Sequence, residues 1–190
     1  MKRIGILGGI GSGKSYVAQI FGYPFFNADK EVSHLYKKDK KTFYKLKKSL
    51  PKYFNKFPIN KDDVTRAILD NEQNLKKIIK IIHLEIRKRM NKFLKKNKIK
   101  KFVVLDIPLL LENKINRKSD ILVFVDSKKN DVLKRLKKRR NFNFKILKKF
   151  QNIQLSLDYK KKKSRFIIKN DFTKKTVTKY VKHILTQIKK

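Results

Sequence analysis

Gly8-Gly9-Ile10-Gly11-Ser12-Gly13-Lys14-Ser15 has the spacing Gly-x-x-x-x-Gly-Lys-Ser of a loop whose backbone cradles phosphate. Its flanks fit that reading. Lys2-Arg3-Ile4-Gly5-Ile6-Leu7 predicts a short buried strand, and Tyr16 to Phe21 opens a helix. All six glycines of the chain lie at or before Gly22, and five of them fall between Gly5 and Gly13. Glycine permits positive φ and close backbone approach. Successive N–H groups can then ring an anion at the start of a helix. Lys14 would reach the β- and γ-phosphates, and the Ser15 hydroxyl would ligate Mg²⁺.

Outward from the loop, four further apolar runs read as strands: Pro24 to Asn27, Phe102 to Ile107, Ile121 to Asp126, and Phe166 to Asn170. Continuous rather than alternating apolar runs suit a parallel sheet covered on both faces. Helices are expected over 30–38, 42–50, 61–69, 72–96, 130–140, 145–157 and 173–188. In the longest, Leu75, Ile78, Ile79, Ile82, Ile86, Met90 and Phe93 recur at helical spacing. The order predicts an α/β fold whose first crossover carries a helical insert. Lys160-Lys161-Lys162-Lys163 reads as a solvated connection.

The 190 residues suggest one domain with a small inserted subdomain. Without cysteine there is no disulfide framework and no thiolate metal site. No apolar run approaches a membrane span, so a cytoplasmic protein is expected. Lys plus Arg is 53 against 15 Asp plus Glu, a net charge of +38. Alone, that balance would suggest nucleic acid or an anionic membrane. The lysines are spread along the whole chain, however, amid abundant Asn, Ile and Phe. A compositional bias is the simpler reading, with no specific nucleic acid or membrane partner.

Ligands of such sheets sit at the carboxyl ends of the strands. Asp29 follows the second strand and is the candidate general base; an N-cap for the next helix is the alternative. Asp106 ends the third strand and could hold a metal-bound water or assist that base; a strand-end turn residue is the alternative. His83, near an apolar helical stripe, reads as structural or as a ligand. Arg135 and Arg139 are four apart, with Arg140 adjacent. They could clamp phosphate oxygens or simply lie on a solvated face.

Taken together these elements resemble the dephospho-coenzyme A kinases. The shared marks are Gly8 to Ser15, the Asn27-Ala28-Asp29 element, and His83 in a long helix. They continue with Pro108-Leu109-Leu110-Leu111-Glu112, the arginines 135 and 139, Gln154, and Ile168-Lys169-Asn170. They cover the chain from Ile4 to about Tyr180.

The resemblance implies a three-layer P-loop kinase fold around a central parallel five-stranded sheet. It implies one kinase domain over 1–190, a helical acceptor subdomain at about 30–98, and a lid at about 135–157. The implied reaction moves the γ-phosphate of ATP to the ribose 3′-hydroxyl of dephospho-coenzyme A, with Mg²⁺, giving coenzyme A and ADP. The rival readings are another small-molecule or nucleoside monophosphate kinase, and a basic nucleic-acid-binding ATPase. A monomer or weak homo-oligomer is expected.

By the same resemblance Asp29, Lys14 and Arg139 are catalytic. Gly9, Ile10, Gly11, Ser12, Gly13, Lys14, Ser15, Tyr16 and Asn170 bind ATP. Asp29, His83, Pro108, Leu109, Leu110 and Glu112 bind the acceptor. Ser15 holds Mg²⁺, with Asp106 as a further contributor through water. Four positions depart from the family pattern. Tyr16 stands for Thr, Asn27 for an acidic residue, Leu84 for Pro, and Asp171-Phe172 for an Asn-Gly-like turn.

Overall fold

The computed structural model describes residues 1–139 and 142–189. Among these, five strands form one all-parallel sheet in the order β2-β3-β1-β4-β5. The strands are β1 (Lys2–Gly8), β2 (Phe25–Asn27), β3 (Phe102–Asp106), β4 (Ile121–Asp126) and β5 (Phe166–Lys169). The expected strands are present with ends shifted by at most one residue. The sheet belongs to a unit made of residues 1–27 and 97–190.

β1 and β3 are buried almost end to end, as continuous Val/Ile/Leu runs demand. On one face α1 (Lys14–Ile20) contributes Val17 and Ala18, and α9 (Lys174–Lys189) contributes Val177, Val181, Ile184 and Ile188. These pack on Ile4, Ile6, Val104 and Val123. α8 (Leu157–Lys163) touches β1 and β4. On β1, Gly5 leaves room for the Cδ2 of Leu110 and of Leu122; a Cβ there would lie 2.7 and 2.9 Å from them.

The unit's one strongly buried cation outside the loop and α8 is structural among the described residues. Arg3 grips Asp120 with Nε on Oδ1 at 2.8 Å and Nη2 on Oδ2 at 2.5 Å. Its Nη2 also donates to the Ile115 carbonyl at 3.0 Å. The Arg3 and Asp120 side chains are 5% and 1% exposed. Removing one member of such a pair costs about 3–5 kcal/mol, because the other charge is left buried alone.

Residues Ala28–Lys96 form a second unit, entirely helical among its regular elements. It contains α2 (Ala28–Lys38), α3 (Lys40–Ser49), α4 (Lys61–Asp70) and α5 (Glu72–Lys96). Asp39 caps α3 through the Thr42 N–H, and Asn60 caps α4 through the Asp62 N–H. Leu35, Phe43, Leu46, Ile68, Ile78 and Ile82 are buried among these helices. Helix α5 runs unbroken through Leu84, which is exposed. A proline there would remove one helical hydrogen bond; leucine keeps the helix continuous past His83.

Two expectations about the segment after β4 need correction. The helix foreseen over 145–157 is two helices, α7 (Phe144–Asn152) and α8. Ser156 interrupts them by capping α8, its Oγ accepting from the Tyr159 N–H at 3.2 Å. The Lys160 to Lys163 run is therefore wholly helix, not connection, and its first lysine is 1% exposed.

Candidate active site

The loop between β1 and α1 folds around its own lysine. Gly8, Gly11 and Gly13 have φ of 146°, 82° and 90°. At Gly13 a Cβ would lie 2.5 Å from Asn170 Nδ2, so any side chain there collides as well as strains. Lys14 is buried, and its Nζ donates to the Gly9 carbonyl at 2.7 Å and the Gly8 carbonyl at 3.2 Å. The ammonium thus stands over the first turn of the loop.

Two neighbours hold the loop from behind. Asn170 Nδ2 and Ser127 Oγ both donate to the Ser12 carbonyl, at 2.8 and 3.0 Å. Asn170 is 4% exposed, and its Oδ1 accepts from the Phe172 N–H at 2.9 Å. Phe172 takes a φ of 65°, the conformation for which glycine is favoured. Its ring faces the Arg135 guanidinium at 4.4 Å. Both ends of the Asn170 amide are thus bonded within the chain.

At the carboxyl ends of β1, β2 and β3 three polar side chains converge. Ser15 Oγ donates to Asp106 Oδ2 at 2.5 Å. Asn27 Nδ2 donates to the same oxygen at 2.6 Å and to Ser15 Oγ at 3.2 Å. Asp106 is 3% exposed. Sheet register causes the meeting, since Asn27 and Asp106 are direct partners across β2 and β3. An amide at position 27 adds donors where a carboxylate would add a second negative charge. Asp106 therefore stands as the sole acid of this trio.

The donor set suits Mg²⁺, a hard cation. It typically takes one or two carboxylates and completes its shell with phosphate oxygens and water. Among the described residues no cluster of three or more His, Cys, Asp or Glu forms an all-protein cage.

The remaining sequence-predicted residues are placed as follows. Tyr16 is on α1, partly exposed. Pro108, Leu109 and Leu110 lie in the turns that follow β3; Leu110 is fully buried against Gly5 and so serves packing. Glu112 is paired with Lys160 at 2.8 Å. Arg139 does not share a helix with Arg135, because α6 (Lys129–Lys137) ends before it; Arg139 lies exposed in the turn beyond. Arg140 lies outside the described residues.

In the helical unit, Asp29 is exposed in the first turn of α2. The helix begins at Ala28, so Asp29 is not its N-cap. His83 is half-buried on α5.

Sequence reasoning missed Ser127 and Lys160. Ser127 had a usable signal, a hydroxyl directly after a strand end. Lys160 had none, for four identical side chains in a row do not show which one is covered.

A cavity of about 450 Å³ borders the loop at Gly9, Ile10 and Ser12. Leu133, Leu136, Leu147 and Leu157 give it an apolar wall, with the amides of Gln151 and Gln154 among them. It is of the size and character of a small-molecule site.

The chain matches the family model "Dephospho-CoA kinase" over residues 2–176. It is 34% identical over 190 residues to the dephospho-CoA kinase of Wolbachia pipientis wMel, covering 97% of each protein. Among solved structures it resembles TT1252 from Thermus thermophilus, with a TM-score of 0.79 at 22% identity over 98% of this chain and 97% of that one. It also resembles the dephospho-CoA kinase from Campylobacter jejuni, with a TM-score of 0.65 at 20% identity over the same shares. The two structures speak to the fold, and the match over nearly the whole sequence speaks to descent. With a family-model match over residues 2–176 and a relative 34% identical across 97% of each protein, the chain belongs to the dephospho-CoA kinase family.

Proposed function

We propose that the protein transfers the γ-phosphate of ATP to the ribose 3′-hydroxyl of dephospho-coenzyme A, yielding coenzyme A and ADP. The observation that carries this is the meeting of Ser15 and Asp106 next to a loop folded around Lys14, in a chain matching that family over residues 2–176.

In this reading the loop amides from Gly9 to Ser15 bind the phosphates, and Lys14 exchanges its carbonyl partners for β- and γ-phosphate oxygens. That ammonium sits where negative charge spreads during phosphoryl transfer. Ser15 would hold Mg²⁺, with Asp106 contributing through water and Asn27 orienting Asp106. When bound, the ion would neutralise phosphate charge. Asp29 accepts the proton of the attacking hydroxyl. It is exposed, and among the described residues it is engaged by no hydrogen bond or ion pair. His83 and the Pro108–Glu112 segment recognise the acceptor, and Arg139 serves the phosphates. Residues 28–96 act as the acceptor subdomain and 135–157 as a lid.

Among the described residues no helix is long and apolar enough to cross a membrane. A cytoplasmic enzyme acting on two soluble nucleotides accords with that. The deciding experiment is an ADP-release assay offering dephospho-coenzyme A, nucleoside monophosphates and sugars in turn. Turnover with dephospho-coenzyme A is expected; turnover with only the other acceptors overturns the proposal.

A further inference from the structure

Lys160 and Glu112 form a buried ion pair inside a chain with lysine to spare. The lysine side chain is 1% exposed and the glutamate 10%, with Nζ and Oε1 2.8 Å apart. Lys160 also donates to Gln154 Oε1 at 3.2 Å. The Leu155 N–H donates to the same Glu112 Oε1 at 3.0 Å. One carboxylate oxygen is therefore held by an ammonium and a backbone amide. The other, Oε2, is buried and has no hydrogen-bond partner among the described residues.

That asymmetry is informative. Burying an ammonium is costly, and an ion pair offsets the cost only when the remaining polar atoms are also bonded. A pair serving packing alone would satisfy both oxygens, because an unpaired buried acceptor is destabilising. Here the chain saturates one oxygen and supplies no donor to the second. Glu112 closes the Pro108–Glu112 segment, and Gln154 and Leu155, which the pair also engages, line the cavity beside Gly9.

We propose that Lys160 is a positioning residue for acceptor binding. By clamping Oε1 it fixes Glu112 so that Oε2 takes a hydrogen-bond donor, an amino or hydroxyl group, from the acceptor nucleotide. The inference rests on the function proposed above and extends it to a residue that does not itself touch substrate.

The test is steady-state kinetics of wild type and Lys160→Met, Lys160→Arg and Lys160→Met/Glu112→Gln, with ATP and dephospho-coenzyme A varied separately. A hydrogen bond to a charged group corresponds to roughly 10- to 100-fold in affinity. Lys160→Met should raise the KM for dephospho-coenzyme A by about tenfold or more, with the KM for ATP and kcat within about threefold. Lys160→Arg should restore most of the loss. The double variant guards against misfolding, since it leaves no lone buried charge, and it should show the same acceptor-selective rise. A folded double variant with a normal acceptor KM, or equal rises in both KM values, overturns the inference alone. Absence of dephospho-coenzyme A turnover in the wild type overturns the functional reading and this inference with it.

Discussion

Asn170 ties the end of β5 to the phosphate loop: its Nδ2 donates to the Ser12 carbonyl at 2.8 Å while its Oδ1 receives the Phe172 N–H. A residue 158 positions along the chain thereby sets the curvature of the loop at Ser12. Asn170→Ala leaves the Phe172 N–H without its acceptor and the Ser12 carbonyl with Ser127 alone. A buried group left unsatisfied costs about 1–3 kcal/mol. The variant should melt earlier and bind ATP about tenfold more weakly, read by thermal denaturation with and without nucleotide.

Asp106→Asn should separate metal use from nucleotide binding. The substitution keeps the shape beside Ser15 and Asn27 but removes the carboxylate's charge. Nucleotide without metal should bind about as well as to wild type. The Mg²⁺ concentration for half-maximal turnover should rise by about tenfold or more, as expected when a hard cation loses its protein carboxylate. A Mg²⁺ titration of the initial rate reads this directly.

Asp29→Asn should lower kcat by about 10²- to 10⁴-fold, the usual contribution of a general base. ATP affinity should persist, because Asp29 stands on α2 and not in the loop. Wild-type turnover in this variant would remove Asp29 from the mechanism.

Acid should loosen the helical unit through Glu85. Its carboxylate accepts from Lys45 Nζ at 2.6 Å, linking α3 to α5, and Lys88 lies 3.2 Å away on the same oxygen. The Lys45 hydrogen bond, followed by that from Lys88 and the charge of both, holds Glu85 below its ordinary value of 4.5. A carboxyl lowered by folding contributes stability at pH above that ordinary value. The contribution disappears as pH falls through the lowered one. Lys45→Met should therefore destabilise the protein at neutral pH, and the gap from wild type should shrink on acidification below 4.5. Denaturant titrations at the two pH values provide the comparison.

Much of this architecture was legible because local signals agreed. Five apolar runs of strand length and a glycine-dense loop point to one parallel sheet, and the strand-end rule points to Asp106. What stayed hidden depends on contacts far apart in sequence. Asn170 had a place at a strand end, but its bonds to Ser12 and Phe172 show only in the fold. The break between α7 and α8 turns on Ser156, a single capping hydroxyl inside an otherwise helical pattern. Lys160 looked solvated because charge in a run usually is, and only the fold brings it under cover with Glu112. Arg135 and Arg139 have helical spacing, but α6 stops at Lys137.

The strand order also bears on how the protein is made. β1 is synthesised before the other four strands, yet both its neighbours, β3 and β4, lie about a hundred residues downstream. Its Arg3 waits for Asp120, 117 positions later. Closing such distant pairings is slow and leaves strand edges open meanwhile. The helices of residues 28–96 have their own apolar centre and can assemble in the interval. The nucleotide loop is thus made well before the platform beneath it, which is complete only once Asp126 has been synthesised, so ATP can act as a folding ligand only after β3 and β4 have joined β1.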